Sequence, residues 1–182
     1  IGHMISTSMS PAGPHGFCLT QTPSGFQYSS IMYGTNAPRA INRRGVIVGQ
    51  ANMSSGSRHG YMKDNCSAAP IDMGLVPTLS GNGYQSMDPT DINVHNEVAR
   101  ITTGPSKPPR AFYYVKGSPA TALSMPAVTV HSYAYAINDR HDIVEHAKGV
   151  ATDWVPVIWS RSGIGTRPYM PWWPLGLRVP RQ

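Results

Sequence analysis

The seven histidines are the residues best suited to metal binding, and their positions argue against it. His15 and His59 hold equivalent places in a repeat described below, and a side chain repeated in register more often serves structure than catalysis. The stretch from His141 to His146 also contains a glutamate, but an inverted zinc motif would need a histidine at position 142, where Asp142 stands. The same stretch is predicted to be a strand, which cannot place two ligands one helical turn apart. We expect no metal site and no cofactor.

The sequence offers few residues for acid–base or nucleophilic catalysis. The chain has two glutamates, Glu97 and Glu145. Several aspartates fall at predicted turns, where they usually bond to the local backbone: Asp88, Asp91, Asp139 and Asp142. Two of these could converge as acid and base on one rim, but no spacing rule selects a pair. No G-x-S-x-G motif is present, and the glycine-rich loop 80–83 lacks the lysine of a phosphate-binding loop. We therefore predict no catalytic residue and a protein that is not an enzyme.

Aromatic side chains are the feature best suited to ligand contact. They are interleaved with Asn, Ser and Arg, and rings in such surroundings can stack on sugar rings or on a protein partner. The candidate ligand-binding residues are Tyr113, Tyr114, Tyr135, Trp172 and Trp173. The alternative is that most of these rings fill the space between repeat units. Trp172 and Trp173 lie outside the repeat, so we expect them to form an oligomer contact or to clamp a tail over the domain.

The composition limits the fold that can position these residues. Gly (18) and Pro (17) together make up 35 of the 182 residues, and 13% of the residues are charged. Helical bundles need long segments rich in Ala, Leu, Glu and Lys, which two glutamates cannot supply. The 40% of hydrophobic residues excludes a charged disordered chain. No run approaches the roughly 20 apolar residues that span a membrane. The sequence predicts one domain of short strands and many turns.

Charge and cysteine content say little about partners or compartment. Fifteen basic and nine acidic residues give a net charge of +6. The arginines are scattered rather than clustered, so we expect no nucleic-acid partner. Cys18 and Cys66 are too few for a disulfide framework or a four-cysteine zinc site, and they could pair or stay free. The segment Ile5–Pro14 has neither the basic nor the apolar region of a secretory signal, so localisation stays unknown at this point.

Two motifs recur in step and divide the chain into repeat units. The first, AINRRGVIVGQA and its relatives, starts at Ala40, Asp91 and Ala136, with steps of 51 and 45 residues. The second, of the form HGF, starts at His15, His59, Arg110 and Val155, with steps of 44, 51 and 45 residues. Motifs that keep the same spacing indicate an internal repeat of about 45 residues, the size of one propeller blade.

The first motif predicts a strand, a tight turn and a second strand. Its asparagine can accept a hydrogen bond from the backbone two residues on, at Asn42, Asn93 and Asn138. Three residues later come residue types that tolerate a positive φ: Gly45, Asn96 and His141. The pattern is typical of a type I turn followed by a left-handed residue. The second motif predicts a short aromatic strand.

The paired motifs resemble the HAF family of bacterial extracellular repeats, in which A-I-N-x-x-G-x-V-V-G hairpins alternate with H-A-F-x-W strands. Ala40–Gly49 matches the hairpin in full, and His15-Gly16-Phe17 and His59-Gly60-Tyr61 match the strand. Arg110-Ala111-Phe112 matches in part, and Val155-Pro156-Val157 departs most. The resemblance implies a propeller-like fold, an extracellular or cell-envelope location, and no assigned chemistry.

We therefore predict an all-β, propeller-like array of about four short repeat units, with a β-sandwich as the alternative. Residues 1–4 have the form of a vector-derived scar. Residues 5–162 are expected to form one repeat domain with units that start near residues 15, 59, 110 and 155. Residues 163–182 are expected to form a Pro- and Trp-rich C-terminal tail. The array either closes as a ring, with both termini in one blade, or stays an open arc that a second copy completes.

The expected function is that of a non-catalytic repeat domain whose loops bind a protein or glycan partner, with homo-oligomerisation and without a membrane span. A small carbohydrate-active hydrolase or lyase of propeller type is the first alternative. A self-associating structural protein, with its open strand edges paired between copies, is the second.

Overall fold

The computed structural model describes residues 3–11, 13–31, 35–75, 84–124, 129–149 and 154–160. In these ranges the chain forms fourteen β-strands and no helix. The first seven strands are β1 (His3–Ser10), β2 (Gly13–Thr22), β3 (Gly25–Ser30), β4 (Thr35–Ile41), β5 (Ile47–Asn52), β6 (Arg58–Lys63) and β7 (Ile71–Gly74). The other seven are β8 (Ser86–Ile92), β9 (Glu97–Gly104), β10 (Lys107–Val115), β11 (Thr121–Ala122), β12 (Thr129–Ile137), β13 (Ile143–Gly149) and β14 (Trp154–Trp159). The predicted all-β class is confirmed.

Strands that follow one another in the chain pair antiparallel and form four meanders. The first is β1–β3, the second β4–β7, the third β8–β11 and the fourth β12–β14. The second and third meanders belong to one eight-stranded sheet, because β6 and β8 pair in parallel at a single position, Arg58 with Ser86. None of the three sheets in the described ranges closes on itself.

The repeat motifs fall on equivalent strands. The Ile-Asn motif ends the first strand of the second, third and fourth meanders, which are β4, β8 and β12. The HGF-type motif lies on β2, β6, β10 and β14. β6, β10 and β14 are third strands of their meanders, and β2 is their counterpart. The first meander therefore corresponds to the second, third and fourth strands of a unit, and the fourth meander to the first three, within the described residues.

The three Ile-Asn turns share one geometry, which confirms the predicted tight turn with a left-handed residue. The angle φ is 80° at Gly45, 62° at Asn96 and 69° at His141. Asn42 Oδ1 accepts the backbone N–H groups of Arg44 and Val46, both at 3.0 Å. Asn93 and Asn138 accept their own turn N–H groups in the same way.

The same asparagines also join one turn to the next. Asn42 Nδ2 donates to the backbone carbonyl of Asn93 at 2.8 Å, and Asn93 Nδ2 donates to the carbonyl of Asn138 at 3.0 Å. Asn42 and Asn93 are buried, with 9% and 3% of their surface exposed. Buried amides that are fully bonded stabilise a unique arrangement. We call this chain of bonds the asparagine ladder; it brings the three turns together at one end of the molecule.

Hydrophobic side chains are buried between successive meanders. The first and second meanders meet at a cluster of Cys18, Ile31, Ile47, Ala51 and Tyr61. The second and third meet at Val48, Met62, Ile92 and Val98. The third and fourth meet at Ala99, Ala111, Ala134, Ile143, Val157 and Trp159. Each meander thus covers one face of its predecessor, as expected for stacked repeats that cannot bury both sheet faces alone.

The small residue of the HGF-type motif allows this close stacking. A Cβ atom on Gly16 would lie 2.5 Å from Pro38 Cδ in the second meander, and one on Gly60 would lie 2.9 Å from Pro89 Cγ in the third. Ala111 is completely buried under the fourth meander. The backbone N–H groups of Gly16 and Ala111 also donate to side chains of the next meander, to Asn36 Oδ1 at 3.0 Å and to Ser132 Oγ at 2.9 Å.

Two features of the first meander are not predicted from the sequence. His3 and Met4, which have the form of a scar, begin strand β1 and pair with Thr20 and Leu19. Cys18 and Cys66 form a disulfide that joins β2 to the loop after β6, a choice that the sequence leaves open. The bridge links the first meander covalently to the second.

Candidate ligand-binding face

The fourth meander has one face that the third meander covers and one face that no other described strand covers. Ile143, Glu145 and Val157 point toward the third meander and are buried. The opposite side, called the outer face here, is formed by three rows of cross-strand neighbours on β12, β13 and β14: His131, Lys148 and Trp154 in one row, Tyr133, His146 and Pro156 in the next, and Ala136, Val144 and Ile158 beyond them. Tyr135 lies at a register shift of β12 between the second and third rows. Three rows on adjacent strands span ~14 Å along the strand direction.

Aromatic rings dominate this outer face. Tyr135 is 50% exposed and Trp154 is 47% exposed. The Tyr133 ring lies 5.3 Å from the Trp154 ring and 6.5 Å from the Tyr135 ring, measured between centroids. Pairs at these distances hold each other in place. Burial of Tyr133, together with the nearby Tyr135, raises the pKa of Tyr133, so this phenol stays neutral at physiological pH.

One lysine and two imidazole side chains border the rings. Lys148 Nζ lies 5.6 Å from the centroid of the Trp154 ring, a cation–π distance. The His131 ring lies 6.1 Å from that of Trp154, and the His146 ring lies 5.1 Å from that of Tyr135. None of the residues that form the three rows carries a carboxylate.

The residues of the outer face differ in size from their counterparts in the third meander, 45 residues earlier. Ala99 corresponds to Val144, and Ala111 corresponds to Pro156. Both alanines are completely buried, whereas Val144 is 43% exposed. Proline also lacks the N–H group that Ala111 donates to Ser132. The outer face is therefore not built to receive a further meander in the way that the other faces do.

The candidate residues from the sequence do not form one site. Tyr135 lies on the outer face, and Tyr113 lies between the third and fourth meanders. Tyr114 packs on the other side of the third meander, where the Arg100 guanidinium lies 5.0 Å from its ring centroid. Trp172 and Trp173 lie outside the described residues.

The candidate set omits three of the rings that accompany Tyr135: His131, Tyr133 and Trp154. The signal for two of them is present in the sequence. His131, Tyr133 and Tyr135 alternate along one predicted strand, and side chains at every second position share a face. Trp154 comes from a different strand, and its place beside Tyr133 follows only from the strand pairing.

Glu97 is the centre of a buried polar cluster between the third and fourth meanders. Its carboxylate accepts hydrogen bonds from Tyr113 Oη at 2.6 Å, His141 Nδ1 at 2.5 Å and Asn93 Nδ2 at 2.6 Å. Burial raises the pKa of Glu97, but these three hydrogen bonds outweigh it and hold the pKa below its usual range. The carboxylate is thus ionised and fully engaged.

The side chain of Glu145, the second glutamate, also points into the interface between the third and fourth meanders. It is 2% exposed and accepts a hydrogen bond from Trp159 Nε1. Burial raises the pKa of Glu145 to about 7, against the hydrogen bonds from Trp159 and Ser132. A carboxyl group with such a pKa could act as a general acid or base. Here the third meander covers Glu145 and separates it from solvent.

A cleft of about 350 Å³ opens at the edge of this contact. Its walls include Tyr113, Leu123, Ile143 and Trp159, with His141 at the rim. The walls are mostly apolar, with hydroxyls of Thr121, Ser124 and Ser160 among the lining residues, and His141 is bonded to Glu97.

Metal binding finds little support in the described part of the chain. The one group there whose ligand atoms lie close together is His3, Cys18 and Cys66. The two cysteines are joined in a disulfide, which removes the thiolates that a metal would need.

Comparisons with known proteins bear on the fold alone. No family model matches the chain, and no curated protein matches it. The crystal structure of TolB from Acinetobacter baumannii is similar, with a TM-score of 0.60 and 15% sequence identity. The match covers 91% of this chain and 40% of the TolB chain, so the chain spans less than half of TolB. TolB gives this all-β fold a distant β-propeller-like neighbour. Within the described residues there is no helix that could cross a membrane.

Proposed function

We propose that the chain is a propeller-like array of four repeat units in an open arc, and that it binds glycans without catalysis through the outer face. Four stacked meanders with one repeated turn support the arc, as does the likeness to TolB. The HAF-type motifs support membership of a family of extracellular repeats. The disulfide supports an extracellular or cell-envelope location, since such bonds persist in oxidising compartments.

The observation that carries the proposal is the row of rings on a bare sheet face. Tyr133, Tyr135 and Trp154 lie together, and two of them are about half exposed. The third meander has covered alanines on the same face. Large exposed rings on a flat face suit a sugar ring, which has an apolar side that stacks and hydroxyls that bond to polar neighbours.

The placement of the acidic groups favours binding over hydrolysis. Glu97 and Glu145 are 4% and 2% exposed and lie between meanders. Asp142 accepts a hydrogen bond from Asn138 in its own turn. Asp139 bonds to the N–H of Val94 and to Arg43. A glycosidase needs two carboxyl groups that face one substrate, and these four are engaged in holding the turns and meanders.

Affinity electrophoresis through gels that contain pooled polysaccharides tests the proposal. We expect the chain to be retarded, and Trp154→Ala and Tyr135→Ala to lose most of the retardation. Each ring is expected to contribute ~1 kcal/mol, or about five-fold in affinity. Tyr28→Ala is the matched control, because Tyr28 is 62% exposed but lies on the first meander. Circular dichroism on each variant separates lost binding from lost structure.

Other outcomes identify the alternatives. Release of reducing ends from the same polysaccharides would contradict a non-catalytic function and support a hydrolase. Absence of retardation would reject glycan binding. If light scattering then showed a mass that rises with concentration, the self-associating structural protein would be the better description.

A further inference from the structure

We infer that the ligand of the outer face is an acidic glycan, one that carries carboxylates of uronic acid residues. This inference rests on the proposed glycan binding and adds the chemical class of the sugar. It follows from which charged groups border the rings and which do not.

The first step is the position of the cations. Lys148 lies over the Trp154 ring, at 5.6 Å from Nζ to the centroid. A sugar stacked beside this ring would bring a carboxylate on its edge within reach of the ammonium group, because the lysine stem lies along the same row. His131 is in that row too, paired with Lys148 across the strands.

The second step is the position of the imidazole that contacts Tyr135, the ring farthest from Trp154. His146 is exposed and contacts the Tyr135 ring. It pairs with Tyr133 across the strands and with Pro156 on the other side. Lys148, His131 and His146 therefore stand in two successive rows of the three, so a polymer lying along the strands would pass a basic side chain in each of these two rows.

The third step is the absence of competing charge on this face. Its three rows, as the structure describes them, contain Lys148 and two histidines but no aspartate or glutamate. Glu145 is on the same strand but points to the covered side. A neutral glycan needs hydroxyl partners such as Asn, Gln, Asp or Glu, and the rows offer none of these side chains. The face suits a ligand that is apolar on its flat side and anionic at its edge.

The contrast with the first meander strengthens this step. Its bare face also exposes rings, with Phe26 at 68% and Tyr28 at 62%. On β1, β2 and β3 the neighbours of Tyr28 are Leu19 and Met4. Tyr28 thus has apolar cross-strand neighbours where Trp154 has Lys148, and it serves as an internal comparison.

A matched pair of polymers tests the inference. Binding of the full chain is measured by affinity electrophoresis or isothermal titration with polygalacturonate and with the same polymer after full methyl esterification, which removes the charge but keeps the backbone. We expect esterification to weaken binding by ten-fold or more. We expect Lys148→Met to weaken binding to polygalacturonate about five-fold and to leave the residual binding to the ester unchanged.

Lys107→Met is the control variant, because Lys107 is exposed on β10 and its loss changes the net charge by the same amount. An equal loss of affinity in Lys107→Met and Lys148→Met would mean nonspecific attraction by the net charge, and would overturn the inference. Equal binding of the two polymers would also overturn it while leaving glycan binding intact. Binding of neither polymer, together with no retardation by pooled polysaccharides, would reject the proposed function itself.

Discussion

Equivalent strands of the third and fourth meanders can be compared on the same face. In the third meander this face is covered by the fourth meander, whereas in the fourth meander no other described strand covers it. On the covered face stand Ala99 and Ala111, both completely buried. On the bare face stand Val144 and Pro156 at the same repeat positions, surrounded by rings. The difference shows that the small residue of the HGF-type motif is a packing requirement between units. In the fourth meander, where no other described strand covers this face, the position holds Pro156 and its neighbours include aromatic rings.

The first meander is bare for a different reason. The aromatic residue of its motif, Phe17, has counterparts in Tyr61 and Phe112 that are buried against the preceding meander. Phe17 is only partly buried and packs on exposed Tyr28, with 5.4 Å between ring centroids. The first meander thus carries the aromatic residue of the motif in a partly exposed position, whereas on the outer face a proline stands at the small position of the motif.

The largest effect is expected from filling the small position on a covered face. Gly16→Val would push a side chain into Asn36 and Pro38 of the second meander, and we expect a loss of about 3 kcal/mol in the free energy of unfolding. Pro156→Val, at the same repeat position on the outer face, should change stability by less than about 0.5 kcal/mol. Urea titration of both variants measures the difference. Equal losses would show that the repeat position has no role in contact between meanders.

The covered and bare sides of β13 should also differ in pH dependence. Because burial raises the pKa of Glu145 to about 7 from 4.5, its folded form prefers the proton. The contribution of Glu145 to the free energy of unfolding is greatest below its pKa in the unfolded chain, 4.5. It declines as the pH rises toward its pKa in the folded protein, about 7. We expect a loss of about 3 kcal/mol between pH 4.5 and pH 8.

Glu145→Gln should remove most of that slope and be the more stable form at pH 8. Thermal melts at intervals from pH 4.5 to pH 8 provide the measurement. Val144→Thr on the bare side of the same strand is the control and should keep the slope. A slope that survives in Glu145→Gln would assign the pH dependence to another group.

Within the asparagine ladder, Asn93 should contribute more to stability than Asn138, the last asparagine of the ladder. Asn93 is buried and its amide donates both to Asn138 O and to Glu97, so Asn93→Ala is expected to cost about 2 kcal/mol. Asn138 is exposed, and its amide donates within its own turn to Asp142, so Asn138→Ala should cost about 1 kcal/mol or less. Chemical denaturation of the two variants compares them. A larger cost at Asn138 would imply that it has a partner beyond the described residues.

The smallest effect is expected in the turns themselves. Gly45 has φ of 80°, which a β-branched side chain resists, so Gly45→Val should destabilise by about 1 kcal/mol or more. Asn96→Gly, at the same turn position with φ of 62°, should be neutral or slightly stabilising. The melting temperatures of the two variants measure both effects. No change in Gly45→Val would contradict the turn geometry.

Much of the repeat can be predicted from the sequence because its signals are local. Asn42 followed by Gly45 specifies a turn through hydrogen bonds to the backbone within five residues. In the other two units Asn96 and His141 stand at the position of Gly45 and keep the same positive φ. Strand β1 is not predicted, because Ile5 to Ser10 alternates weakly and its pairing depends on β2. Local propensity gives no sign of such an edge strand.

The candidate site is harder to predict because it depends on which face is left bare. Tyr113 and Tyr135 are both tyrosines on strands, yet one donates to Glu97 between meanders and the other is half exposed. Their difference arises from the stacking order of the meanders. Disulfide formation by Cys18 and Cys66 likewise depends on stacking, since 48 residues separate them in the chain.

The asparagine ladder has a consequence for how such chains can grow and shrink in evolution. Asn42 and Asn93 each close their own turn and donate to the turn of the next unit, so the bond from Asn42 to Asn93 spans one whole repeat period. The two periods differ in length, 51 and 45 residues, yet the bond is the same. A duplication or deletion that begins and ends at these asparagines would add or remove a unit and restore the bond. One that begins elsewhere would leave a buried amide without its acceptor, and selection against that loss would keep the asparagine fixed while the rest of the unit diverges.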